Sequence, residues 1–288
     1  GRTIMFDMFK EKVIPLDVWV SQFVDWLVDN YREFFQTIKW PVEQTLSGLD
    51  TGLNALHPII VIVALALTAW WFSGKTLAIF TIISLTIIGL LGLWVETMTT
   101  LAMVMASVFF CALAGIPLGI WAGRSDRFEA GLRPVLDAMQ TTPAFVYLVP
   151  IVMLFSVGNV AGVLATIIFA LPPIIRLTSL GIRQVHPELV EAGQAFGATN
   201  WQILTRVQVP LAMPTILAGL NQTIMMALSM VVIAALIGAG GLGSPVILGL
   251  NTLDIGRAVI GGLSIVLMAI VLDRITQSMA KKKKKARS

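Results

Sequence analysis

Seven stretches of this chain are apolar over lengths that a soluble core does not require: Leu53 to Phe72, Thr76 to Trp94, Met98 to Trp121, Pro143 to Val157, Val160 to Ile175, Pro214 to Ile237 and Ala258 to Leu272. A hydrocarbon core about 30 Å thick is crossed by about 17 to 25 such residues in a helix. The fourth, fifth and seventh stretches are shorter than that range. A rival division therefore fuses the fourth and fifth into one helix broken at Gly158-Asn159, which inverts the topology of one half. Composition agrees with a membrane protein: 57% of the 288 residues are hydrophobic and 12% are charged, where globular domains carry about 25% charged.

Charge decides between the two divisions, because Lys and Arg in short loops are retained on the cytoplasmic side. With seven spans, the cytoplasmic loops and tail hold Lys75, Arg124, Arg127, Arg133, Arg176, Arg183, Arg206, Arg274, Lys281 to Lys285 and Arg287, and the opposite short loops hold only Arg257. Fusing two spans strands one of the arginine groups outside. The predicted orientation is N-terminus extracytoplasmic and C-terminus cytoplasmic. The tail Lys281 to Lys285 with Arg287 supplies six of the chain's twenty basic residues, so the excess of base points to membrane topology and lipid rather than to nucleic acid.

The segment before Pro58 carries five basic and eight acidic residues. Arg2, Lys10, Glu11 and Lys12 bracket no apolar core of a signal peptide. Leu16, Trp19, Val20, Phe23, Leu27, Tyr31 and Phe34 recur at three- and four-residue steps, which predicts an amphipathic helix. It lies either in the outer membrane interface or on the protein's own outer surface. The predicted organisation is thus 1–52 amphipathic segment, 53–97 two peripheral helices, 98–280 core with a cytoplasmic loop 176–213, and 281–288 basic tail.

Several chemistries are excluded. The single cysteine, Cys111, forms no intrachain disulfide, and the two histidines, His57 and His186, are far apart in sequence, so no metal site is expected. The spans hold almost no ionisable groups, which argues against a proton or sodium relay and against a transporter that works alone. An intramembrane enzyme needs a convergent nucleophile and base, and neither histidine sits where one could serve. Gly238-Ala-Gly240-Gly-Leu-Gly243 satisfies a dinucleotide-loop pattern formally, but it follows a span rather than opening a βαβ unit, and a tight turn is the better reading. No Walker-type phosphate loop is present, so ATP hydrolysis is not expected of this chain.

The informative loop runs from Arg176 to Met213. His186-Pro187-Glu188 opens a helix, with proline in its first turn and Glu188 and Glu191 near the positive end of its dipole. Gly197 stops it with a left-handed cap. A short helix displayed between two spans suits a groove on a soluble partner. Glu191-Ala192-Gly193, three residues, Gly197, nine residues and Val207-Gln208-Val209-Pro210 resemble the "EAA" loop of binding-protein-dependent ABC importer permeases. Gly193 replaces the loop's second alanine, and Val207 and Val209 stand for its isoleucine and leucine. Gln140 to Pro150, Phe169 to Arg176, Asn221-Gln-Thr and Gly240 to Gly243 resemble the glycine betaine/proline branch of that family, and the resemblance runs from about Leu53 to Ala280.

That resemblance implies an all-α membrane protein of the type I importer permease fold in the bacterial inner membrane, an osmoprotectant permease and not itself an enzyme. It implies a second permease copy, two ATP-binding subunits that hold ATP and Mg, and an extracytoplasmic substrate-binding protein, with no cofactor in this chain. Glu191, Ala192, Gly193, Gln194, Ala195, Phe196 and Gly197 then form the helix that couples to the ATPase. The implied substrate is glycine betaine or a related quaternary amine, with choline, carnitine or an amino acid as alternatives, and a quaternary ammonium is attracted to aromatic faces. Polar or aromatic candidates for the pathway are Gln140, Thr141, Thr142, Tyr147, Asn221, Gln222 and Thr223; the alternative for each is a hydrogen bond between neighbouring helices. Gly115, Gly119 and Gly123 line one face of the third span, where internal packing is favoured over a dimer seam.

Overall fold

The computed structural model describes residues 8–286; Arg2 and Arg287 of the charge argument lie outside them. All regular structure among the described residues is helical. The amphipathic pattern becomes α1, Leu16–Ala55, kinked at Tyr31 (φ −119°, ψ 24°). It reaches beyond the predicted segment and takes up Leu53, the expected start of the first span. A turn of 107° leads into α2, Pro58–Ser73, whose first turn is set by Pro58 and by His57 Nδ1, which accepts from the Ile59 amide at 3.2 Å. Gly74 (φ 109°) ends α2 and opens α3, Lys75–Leu90; α4 is Trp94–Arg124.

The expected fourth span, Pro143 to Val157, is the second limb of a bent pair. The chain runs as an amphipathic helix α5, Asp126–Thr141, then a 3-10 turn, Ala144–Tyr147, then an eight-residue α6, Leu148–Phe155, with a 104° bend between the two parts. Pro143 supplies no amide, and the chain leaves α6 through Ser156 (φ 69°) and Gly158 (φ 128°), beside the Gly158-Asn159 point where the rival division placed its break. The fifth span is longer than expected: α7 covers Asn159–Arg183. After α8, Pro187–Ala195, and α9, Asn200–Ile203, a π turn over Leu204–Gln208 joins α10, Val209–Ala234. Two C-terminal helices follow, α11, Gly243–Asn251, and α12, Ile255–Lys285. By length and apolarity, Trp94–Arg124, Asn159–Arg183, Asn200–Ile237 and Ile255–Lys283 can each cross a membrane, and six spans result if each bent pair counts as one; Lys75–Leu90 is apolar but shorter.

The core is a sandwich of α7 between α4 and α10, held by small residues. In lipid no hydrophobic force drives helices together, so close backbone approach supplies the attraction. A Cβ at Gly119 would stand 2.5 Å from Thr178 Cβ, and one at Gly123 would stand 2.7 Å from Ile182 Cβ. The glycine face of α4 is therefore internal packing against α7. On the other side, Gly181 of α7 abuts Ala212, and Gly219 of α10 abuts the Pro173 carbonyl and Leu177.

Hydrogen bonds fix the sense of these helices. Arg183 at the end of α7 donates to the Ala122 carbonyl near the end of α4 at 2.6 Å, so the two run in parallel. The Gly158 amide before α7 donates to the Ile237 carbonyl just past α10 at 2.9 Å, so α10 runs the other way. One end of the bundle thus gathers Arg124, Arg183 and the α8–α9 segment; the other carries the Gly238–Gly243 turn.

Candidate functional site

The α8–α9 segment is shaped by its caps. Pro187 stands in the first turn, followed by Glu188. At the far end Gly197 (φ 78°) takes the left-handed conformation, with the Gly197 amide donating to the Gln194 carbonyl and the Ala198 amide to the Gly193 carbonyl, each at 3.0 Å. These paired bonds make a Schellman cap. Two residues on, the Thr199 hydroxyl accepts from the Gln202 amide at 3.2 Å, and the Thr199 amide donates to Gln202 Oε1 at 3.0 Å, a reciprocal capping box. Helix α8 is stopped and the next helix started within four residues, so the corner is rigid.

Its surface is open. Glu191, Ala192, Gln194, Ala195, Phe196 and Gly197 are exposed, while Gly193 is half-buried, where a Cβ would stand 3.3 Å from Ile203 Cγ1. Phe196 is 92% exposed and Trp201 71%. Two large aromatic rings held outward on a rigid corner are the composition of an interface anchor. Trp201 was not singled out from the sequence, although it stands four residues after Gly197; nothing in the spacing alone separates an outward Trp from a membrane-interface one.

Beside this corner, α5 is fastened along α7. Arg183 pairs with Asp126 and Glu129, and Arg176 with Asp137, each at 2.5 Å. The sequence showed these arginines only as topology signals, because their carboxylate partners are 39 to 57 residues away. At the opposite end the Gly238–Gly243 run is a tight turn, with Gly238 at φ 77° and Gly241 at φ 86°. Two of its amides are engaged by side chains of the core: that of Gly240 by Asn159 Oδ1 at 2.6 Å and that of Leu242 by Thr100 Oγ1 at 2.8 Å. These bonds tie the turn to α4 and to the start of α7.

The seven pathway candidates divide. Thr223 is fully buried and donates to the Ala170 carbonyl at 2.9 Å, close in sequence to Pro172 and Pro173 inside α7. Asn221 donates to Asp273 Oδ1 at 2.9 Å and to Thr276 Oγ1 at 2.6 Å. Both side chains hydrogen-bond between neighbouring helices of this chain. Gln140, Thr141 and Gln222 are exposed. Thr141 and Thr142 both donate to the Ala138 carbonyl, which leaves their lone pairs outward. Half-buried Tyr147 donates to the Met139 carbonyl, and its ring stands 6.2 Å from that of Phe169.

With this geometry in hand, the comparisons with known proteins are specific. The family model described as "binding-protein-dependent transport system inner membrane component" matches residues 115–285. The chain is similar to the glycine betaine/proline betaine transport system permease protein ProW of Escherichia coli (strain K12), with 53% identity over 96% of this chain and 78% of that one. It is also similar to the glycine betaine transport system permease protein OpuAB of Bacillus subtilis (strain 168), with 47% identity over 94% of this chain and 96% of that one. Among solved structures, a chain of the inward-facing MetNI methionine ABC transporter aligns with a TM-score of 0.58 at 22% identity, covering 64% of this chain and 92% of that chain; at that identity the match speaks for the fold alone.

Proposed function

Because the chain belongs to the family of binding-protein-dependent transport system inner membrane components, we propose that it is the permease of an ATP-driven importer of glycine betaine or a related quaternary-amine compatible solute. The family makes it a multi-pass inner-membrane permease subunit rather than an ATPase. In our reading the charged end of the bundle faces the cytoplasm, as the lysine and arginine distribution requires, and the Gly238–Gly243 turn faces outward toward a docked binding protein.

The observation that carries the proposal is the rigid, outward corner of α8 and α9. Each of two permease copies offers Glu191 to Phe196, with Trp201 beside it, to one ATP-binding subunit. ATP and Mg belong to those subunits. When ATP closes the pair, the two corners are drawn together. The shift reaches α10 through the continuous helix that starts at Asn200, and α10 is close-packed on α7 through Gly181 and Gly219. The pathway opens outward to receive solute, and hydrolysis restores the inward-facing state.

The substrate assignment rests on the transport functions for which the relatives are named and on chemistry that fits them. Tyr147 with Phe169 and the exposed Phe145 offer aromatic faces, each worth about 0.5–2 kcal/mol to a quaternary ammonium depending on desolvation. Gln140, Thr141, Thr142, Asn221, Gln222 and Thr223 remain polar lining candidates, of which Gln140, Thr141 and Gln222 are exposed. The test is uptake of labelled glycine betaine into liposomes holding the permease, its ATPase and its binding protein, with unlabelled proline betaine, carnitine, choline and methionine as competitors. Competition by the quaternary amines and none by methionine is expected; methionine competition with no betaine uptake would discard the substrate.

A further inference from the structure

Among the grooves at the charged end of the bundle, two that carry several basic side chains differ in their electrostatics. The first, about 310 Å³ between α5 and α7, is lined by Arg133, Arg176 and Arg183, but each of these guanidinium groups meets a carboxylate of α5. Its charge is already closed. The second, about 460 Å³, lies where the end of α2, the start of α10 and the end of α12 meet. Its walls are Trp71, Met213, Leu217 and Met279, and its rim carries Lys282 and Lys283. No acidic residue lines it, and among the described residues no carboxylate pairs with either lysine.

Lys282 is nonetheless placed. Its ammonium stands 4.4 Å from the centre of the Trp71 ring and 5.6 Å from that of Phe72, and it donates to the Trp71 carbonyl at 3.3 Å. One of its three donors is thereby used. The charge is held at the mouth of an apolar groove, with no carboxylate paired to it among the described residues. Trp71 is 72% exposed, as a ring at the boundary of hydrocarbon and headgroups is expected to be.

An apolar slot with an uncompensated cationic rim at a membrane boundary fits one class of ligand, an anionic amphiphile whose chain enters the slot while its head pairs with the rim. We propose that this groove is a binding site for an anionic phospholipid, with the phosphate between Lys282 and Lys283 and an acyl chain against Trp71, Met213, Leu217 and Met279. The lipid fills the gap between the peripheral helix α2 and the core helices α10 and α12. The basic tail thus has a defined seat rather than only a general attraction to a charged surface. The proposal does not depend on the transported solute, and lipid binding in detergent is read independently of membrane orientation.

The test uses the full chain purified in detergent and native mass spectrometry with dioleoylphosphatidylglycerol and dioleoylphosphatidylcholine. The unaltered chain is expected to retain one phosphatidylglycerol with at least about tenfold preference, and the double substitution Lys282→Gln/Lys283→Gln to abolish that preference, on the order expected for two lysines at a membrane surface. Lys281→Gln/Lys285→Gln removes the same formal charge and is expected to keep the preference. Trp71→Ala is expected to weaken both lipids, and glycerol 1-phosphate, a headgroup without chains, is expected not to compete. Thermal unfolding without added lipid checks that each variant is folded. A preference unchanged in Lys282→Gln/Lys283→Gln, or lost equally in Lys281→Gln/Lys285→Gln, overturns the site; displacement by glycerol 1-phosphate overturns the lipid in favour of a simple phosphate site.

Discussion

Gly119→Ala tests the packing that sets the core. The added Cβ would stand 2.5 Å from Thr178 Cβ and 2.8 Å from the Ile175 carbonyl oxygen, where carbon atoms settle at about 3.5–4.0 Å. The neighbours are a β-branched carbon and main chain, neither of which rotates away, so α4 and α7 must part by about 1 Å or more. Overpacking of this kind costs about 1–3 kcal/mol. The control is Gly131→Ala on α5, where nothing stands within 4 Å of the new Cβ. There the substitution gains about 0.5–1 kcal/mol from helix propensity alone. The same chemical change is thus expected to move stability in opposite directions, with the two variants about 1.5–4 kcal/mol apart. Unfolding midpoints in mixed micelles, followed by tryptophan fluorescence, read the difference. Equal midpoints for the two variants would refute the claim that the α4 glycines are there for contact with α7.

Other perturbations follow from single contacts. Thr100→Val removes the acceptor of the buried Leu242 amide and is expected to cost about 1–3 kcal/mol, with amide exchange rising first in the Gly238–Gly243 turn. Arg183→Gln forfeits two carboxylates and the Ala122 carbonyl and is expected to destabilise more than Asp126→Asn, whose exposed pair is worth at most about 1 kcal/mol; high salt should shrink the effect of the second more than the first. Trp201→Ala, at a ring 71% exposed, is expected to leave the unfolding midpoint unchanged and weaken association with the ATP-binding subunit by about tenfold or more, measured by co-purification at graded subunit concentration.

Much of this architecture was legible because the membrane restricts the alternatives. The apolar runs located α2, α4, α7, α10 and α12, and Gly197 marked the end of α8 because only a left-handed cap fits a glycine at that point of the pattern. The four-residue glycine spacing named the contact face of α4. What the sequence concealed was long-range. Hydropathy alone cannot show that the apolar run Pro143 to Val157 is only the second limb of a bent pair whose first limb is the amphipathic Asp126–Thr141. The hydrogen bonds of Asn221 and Thr223 were hidden because their partners, Asp273, Thr276 and the Ala170 carbonyl, lie more than fifty residues away. The lysine tail was visible as charge, while the groove beneath it required α2, α10 and α12 to meet.

The central claim is that the α8–α9 corner couples ATP hydrolysis to solute movement through this chain. Gly197→Asp tests it most directly, since the left-handed cap at φ 78° disfavours a side chain by about 1–2 kcal/mol and the new carboxylate projects from the presumed contact surface. The measurement is ATP-dependent uptake of labelled glycine betaine in proteoliposomes, read beside ATPase association. The account predicts ATP-dependent uptake in the unaltered chain, and loss of both uptake and association in the variant with the fold intact. Uptake that proceeds without the ATPase, or that survives Gly197→Asp together with full association, would contradict it.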